Sequence, residues 1–107
     1  MALQCTYFDV TSGVGTHDGS LCMSKDSSNI YFTLGAKAIG SWGYDGYATV
    51  RVAVKDPDGS WREFASKRVR VTSPANGTFT NVAAFGKKMY MSVGFDYGGF
   101  GMMEFVR

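Results

Sequence analysis

Tyr47-Ala48-Thr49-Val50-Arg51-Val52-Ala53-Val54-Lys55, followed at once by Asp56-Pro57-Asp58-Gly59, decides the fold. In an extended chain Ala48, Val50, Val52 and Val54 face one way. Tyr47, Thr49, Arg51 and Lys55 face the other, the period-two alternation of a strand with one buried face. Pro57 presets φ at the second turn position, and Gly59 can take the left-handed conformation that closes a type I turn with a bulge. Residues 60–65 then return as the hairpin partner, with Trp61 and Phe64 on opposite faces.

The same alternation extends in both directions. Downstream, 67–72 sets Val69 and Val71 inward with Arg68 and Arg70 outward, and 73–77 is a turn cluster. A strand over 78–85, a turn at 86–88 and a strand over 89–97 follow. Met89, Met91, Val93, Phe95 and Tyr97 share a face there. Gly98-Gly99 breaks the chain before a last strand over 100–106. Upstream, 29–34 alternates with Ile30, Phe32 and Leu34 on one side; 5–10 and 20–23 are shorter strands. Only 34–39 has room for a turn of helix, and Gly35 and Gly40 bracket it. About eight short strands at regular spacing predict an all-β, antiparallel sandwich or small closed barrel.

The chain has 107 residues, 45% of them hydrophobic, so one domain over 1–107 accounts for it. A domain of this size hides roughly 65% of the surface its unfolded chain exposes, enough to fold without a metal. Two Trp, six Tyr and eight Phe argue against disorder. No apolar run reaches the roughly 18–20 residues that span a bilayer. Residues 1–5 lack the basic and apolar segments of a secretory signal.

The formal charge of +2 is too small to steer the whole molecule toward nucleic acid or anionic lipid. Arg51, Arg62, Arg68 and Arg70 would form a local basic patch if their strands pair. Such a patch also serves as a solvated face that discourages edge aggregation. Cys5 and Cys22 are expected as a disulfide between two antiparallel strands, which the chain-entropy model values at about 3 kcal/mol. That bond favours an oxidising compartment, secreted or at a cell or virion surface.

Motifs for chemistry fail on spacing. In Asp56-Pro57-Asp58-Gly59 the glycine comes fourth, where a calcium loop needs it sixth. No helix follows the Gly- and hydroxyl-rich segment 11–20, so it cannot cradle phosphate as helix-capped loops do, and it reads as a flexible loop. His17 is the lone histidine, so any histidine catalysis would pass through it; no nucleophile elbow accompanies it. Asn76-Gly77-Thr78 is a glycosylation sequon. Gly98–Phe105 imitates an RNA-recognition octamer but lacks its basic residue and the fold that would follow. No catalytic, metal or cofactor site is read.

Aromatic surface remains. Trp42, Tyr44 and Tyr47 stand with Asp45 among glycines, and Phe95, Tyr97 and Phe100 form a second cluster. Flat rings beside hydroxyls and an acid can stack on sugars or anchor a protein interface. The expected function is non-enzymatic recognition of a carbohydrate or protein surface through Trp42, Tyr44, Asp45 and Tyr47. A structural or assembly subunit, or a protease-inhibitor-like domain using residues 11–19, is the alternative, and self-association fits either. A single-strand nucleic-acid binder using the arginine face ranks third.

Overall fold

The computed structural model describes residues 3–12, 15–36, 46–71, 75–82, 86–96 and 98–107. Eight strands follow in order: β1 (Gln4–Ser12), β2 (Gly15–Lys25), β3 (Ile30–Ala36), β4 (Gly46–Lys55), β5 (Trp61–Val71), β6 (Ala75–Phe79), β7 (Lys88–Phe95) and β8 (Phe100–Val106). They form two antiparallel sheets, ordered β1-β2-β3-β6 and β5-β4-β7-β8. No helix occurs among the described residues. The helical turn expected at 34–39 falls partly outside them, and residues 34–36 belong to β3.

The alternation at 47–55 does what its period dictates: Ala48, Val50, Val52 and Val54 are all fully buried. They pack with Met89, Met91 and Val93 of β7 against Leu21, Ile30, Phe32 and Leu34 of the facing sheet. The Asp56–Gly59 turn is closed by Gly59 N–H donating to Asp56 O (2.9 Å), and Gly59 takes φ 90°. Asp58 accepts from the Ser60 hydroxyl and amide, which hold its carboxyl below the usual range.

The strand expected over 78–85 ends at Phe79, and residues 80–82 belong to no strand. Three further stretches differ from the sequence reading. First, 61–71 is one strand. A bulge against Val52/Ala53 leaves Phe64 without a partner, which resets the alternation and makes the strand look like two. Second, the expected loop at 11–20 is the end of a hairpin, with β1 running to Ser12 and β2 resuming at Gly15. Third, residues 75–77, expected as turn, pair with β3 as β6.

Glycine explains the last two. A side chain at Gly19 would strike the Phe8 ring (2.9 Å) and Val10 (2.4 Å), and one at Gly77 would strike Phe32 (2.2 Å). Each glycine is a strand residue whose side-chain space a neighbouring ring occupies. Gly101 of β8 is a third, where a Cβ would stand 2.3 Å from the Phe8 ring.

The closed-barrel alternative fails at both sides of the sandwich. On one side Lys67 of edge strand β5 is the register partner of inward Val50, and its ammonium sits 5.9 Å from the Phe79 ring centroid. An inward charge of this kind keeps an edge from pairing. On the other side β1 lies against β8 without a ladder. Gln4 Nε2 donates to Glu104 O (2.8 Å), Lys25 Nζ donates to Val106 O, and Thr11 N–H donates to Gly98 O (2.9 Å). Cys5 and Cys22 are cross-strand partners joined by a disulfide, Cα–Cα 4.1 Å, which ties β1 to β2.

The β2–β3 turn is organised by Asp26, whose carboxylate accepts from Tyr31 Oη and from the Ser28 and Asn29 amides (2.8 and 2.7 Å). Arg107 Nη1 donates to Asp26 O (2.8 Å), pinning the last residue to the same turn. The Tyr31 hydroxyl first, and then the two amides, hold the Asp26 carboxyl below its ordinary 3.8. The folded protein therefore gains from this carboxylate in full above that ordinary value. The gain is lost as pH falls through the lowered one.

Two predictions follow from this packing. Gly77→Ala and Gly101→Ala should each cost about 1–3 kcal/mol by overpacking against a phenylalanine, and lower Tm by roughly 4–8 °C per kcal/mol. Calorimetry checks this, and an unchanged Tm would mean that the rings relocate freely. Asp26→Asn should flatten the acid limb of Tm in melts from about pH 5 down to about pH 2. A limb as steep as the wild type would remove Asp26 from the account.

Candidate functional site

The outward positions of the β5-β4-β7-β8 sheet follow from its register. Thr49 pairs with Arg68 and Gly94, and Gly94 with Phe100; Arg51 pairs with Ser66 and Ser92, and Ser92 with Met102. The next row joins Glu63, Ala53, Tyr90 and Glu104. An outer sheet face in water is ordinarily polar. This one carries Phe100 (64% exposed), Met102 and Val106 along β8, with Trp61 and Tyr90 across it.

Trp61 and Tyr90 meet at a centroid distance of 4.9 Å and an interplanar angle of 59°. A tilted contact of this type is worth about 0.5–1.5 kcal/mol beyond its buried area. Between this pair and the Phe100–Met102 wall lies an open trough of about 400 Å³, lined also by Arg51 and Ser92. Ser92 forms its floor and is only 6% exposed, the sole buried polar side chain among the described residues. Beside it Gly94 has an outward position where, among the described residues beyond its chain neighbours, no atom lies within 4 Å of where a Cβ would stand.

The rim is charged, and the charges are matched. Arg51 Nε lies 3.2 Å from Glu63, Arg62 Nε 3.3 Å from Asp56, and Lys88 Nζ 3.9 Å from Glu104. Arg68 makes a two-pronged pair with Asp96, Nη1–Oδ1 3.2 Å, while its guanidinium lies 4.7 Å from the Tyr47 ring centroid. Asp96 N–H donates to Tyr47 O (2.9 Å), so Tyr47, Arg68 and Asp96 form one unit at the upper end of the face. Each exposed pair contributes about 0–1 kcal/mol to stability. Their larger effect is to cancel local field.

Of the residues singled out from sequence, Trp42, Tyr44 and Asp45 lie outside the described residues. Tyr47 is outward and exposed at the start of β4. Arg51, Arg68 and Arg70 share the outer face with it, while Arg62 pairs with Val54 at the hairpin end. Phe95 of the second cluster is core, Tyr97 lies outside the described residues, and Phe100 is exposed.

Sequence reasoning missed the trough: Trp61, Tyr90, Ser92 and Met102. The signal was β8 itself, where Phe100, Met102 and Val106 alternate with Gly101, Met103 and Phe105 and put apolar residues on both faces. On the opposite sheet Tyr7, Asp9, Asp18 and Ser20 line a second hollow of about 740 Å³. Asp9 and Asp18 face each other there. No group of three or more metal-ligating side chains occurs among the described residues.

No protein-family model matches the chain, and no curated protein matches it.

The charge matching predicts weak binding of polyanions. Single-stranded DNA should bind with Kd above about 10⁻⁶ M at physiological salt, as measured by fluorescence anisotropy. A Glu63→Gln/Asp96→Asn variant should bind it more tightly and with a steeper salt dependence. Tight wild-type binding would refute the cancellation.

Proposed function

We propose that this chain is a non-enzymatic binding module that holds a carbohydrate or a protein surface on the outer face of the β5-β4-β7-β8 sheet. The observation that carries the reading is the placement of Trp61, Tyr90, Phe100 and Met102 around one trough on a face that solvent reaches. Rings and thioether there are exposed to water without serving the core, the mark of a recognition surface. Tyr47 stands at the upper end of that face, and Trp42, Tyr44 and Asp45 precede it in the sequence. The Cys5–Cys22 disulfide is compatible with an extracellular location, which agrees with a secreted or surface-displayed module.

An assembly subunit is the second reading, favoured by the apolar outer side of edge strand β8. Sedimentation distinguishes it through concentration-dependent mass.

The test is a labelled protein applied to glycan and extracellular-protein arrays beside a Trp61→Ala/Phe100→Ala variant. At least one ligand should lose about tenfold or more in affinity, a change of roughly 1.4 kcal/mol, while circular dichroism stays native. Ligands indifferent to the double variant, or none at all, would sink the proposal.

A further inference from the structure

Gly94 differs from the other interior strand glycines, of which Gly35 has Ser20 Oγ 3.0 Å from its Cβ position. At Gly19, Gly77 and Gly101 a ring fills the missing side chain's space, whereas at Gly94 nothing does. Glycine weakens a strand interior and marks places where a ligand or another backbone comes close. The usual internal remedy is a cross-strand aromatic laid over the glycine. Phe100 is the direct partner of Gly94, yet no atom of it comes within 4 Å of the Cβ position. Its ring stands up as a wall instead, 64% exposed.

Resting on the binding reading above, we infer that the trough over Ser92, with Gly94 beside it as the strand partner of Phe100, seats one ring of a neutral carbohydrate. The ring's C–H face lies against Phe100 and Met102, and its hydroxyls face Ser92 and Arg51. The chemistry of the lining selects this occupant. A purely apolar side chain in the trough would desolvate the Ser92 hydroxyl and the Arg51 guanidinium without replacing their hydrogen bonds. An anion would meet Glu63 and Glu104, which already match Arg51 and Lys88. A sugar ring without charge offers an apolar face together with donors and acceptors, which is what this mixed lining can satisfy. The trough's 400 Å³ falls within the roughly 300–1,000 Å³ of small-ligand sites.

The test is an amide-detected NMR titration of the intact protein. The probes are neutral gluco-, xylo-, manno- and galacto-oligosaccharides of several residues, beside a sulfated oligosaccharide. For at least one neutral probe the perturbed amides should centre on Ser92, Gly94, Phe100 and Met102. Gly94→Leu fills open space in an extended strand, so its Tm should equal or exceed the wild type, while affinity falls about tenfold or more. Phe100→Ala should weaken the same probe.

Saturable sugar binding that Gly94→Leu leaves intact would overturn this seat but leave the binding module standing. No shift with any neutral probe at about 10 mM, weaker than millimolar Kd, would overturn the sugar assignment. A response to the sulfated probe alone would do the same. In both of those cases the protein array decides the broader reading separately.

Discussion

The Phe8 ring joins the two sheets, and much of the arrangement depends on it. It comes from β1, stands over Gly19 of the neighbouring strand, and fills the side-chain space of Gly101 on the facing sheet. It also reaches the Phe95 ring at 5.8 Å between centroids. Interiors pack like organic crystals, so a ring in that position requires both glycines to be bare. With Phe8 seated, β1 can lie on β8 closely enough for Gln4 and Lys25 to cap the Glu104 and Val106 carbonyls. That seals one edge without adding a ladder. The outer side of β8, with Phe100 and Met102, is left facing solvent.

This packing also explains what the sequence made legible. Strands with clean alternation, such as 47–55 and 89–95, were readable because their apolar parity survives any local detail. The Asp56–Gly59 turn was readable because its residue types serve one backbone geometry. The segments at 11–20 and 73–77 were not, for a shared reason. Glycine normally marks a turn, but Gly19 and Gly77 stand where a phenylalanine on a different strand needs room. That requirement belongs to cross-strand register, and a single strand does not display it. The bulge at Phe64 hid the unity of β5 in the same way, since an extra residue shifts every later side chain to the other face.

The trough was not legible in the sequence, and Trp42, Tyr44 and Asp45 of the site read there lie outside the described residues. Composition gave an excess of aromatic residues, and the Trp42–Tyr47 segment concentrated them. The trough instead draws Trp61 from β5, Tyr90 and Ser92 from β7, and Phe100 and Met102 from β8. These residues are distant in sequence and meet only after two hairpins stack side by side. The arginines carried a similar ambiguity. Read along the chain they accumulate, but in the sheet Glu63, Asp56 and Asp96 stand against Arg51, Arg62 and Arg68. A basic run thus becomes a face whose charges alternate, better suited to holding planar side chains in position than to attracting a polyanion.

The same comparison separates glycines that packing requires from one that it does not. A glycine in a strand costs about 0.5–1 kcal/mol relative to alanine. At Gly19, Gly77 and Gly101 that cost is offset inside the fold, because a larger residue would displace Phe8 from its seat against the core or Phe32 from within it. At Gly94 no such constraint operates. The backbone there is ordinary strand, the Cβ position is open, and Thr49 and Phe100 flank it without covering it. Stability alone would favour a β-branched residue at this outward position. The bare backbone, set beside a sunken serine and walled by apolar side chains, is therefore a local departure from what folding asks of this strand. Departures of that kind concentrate at sites that something else must enter.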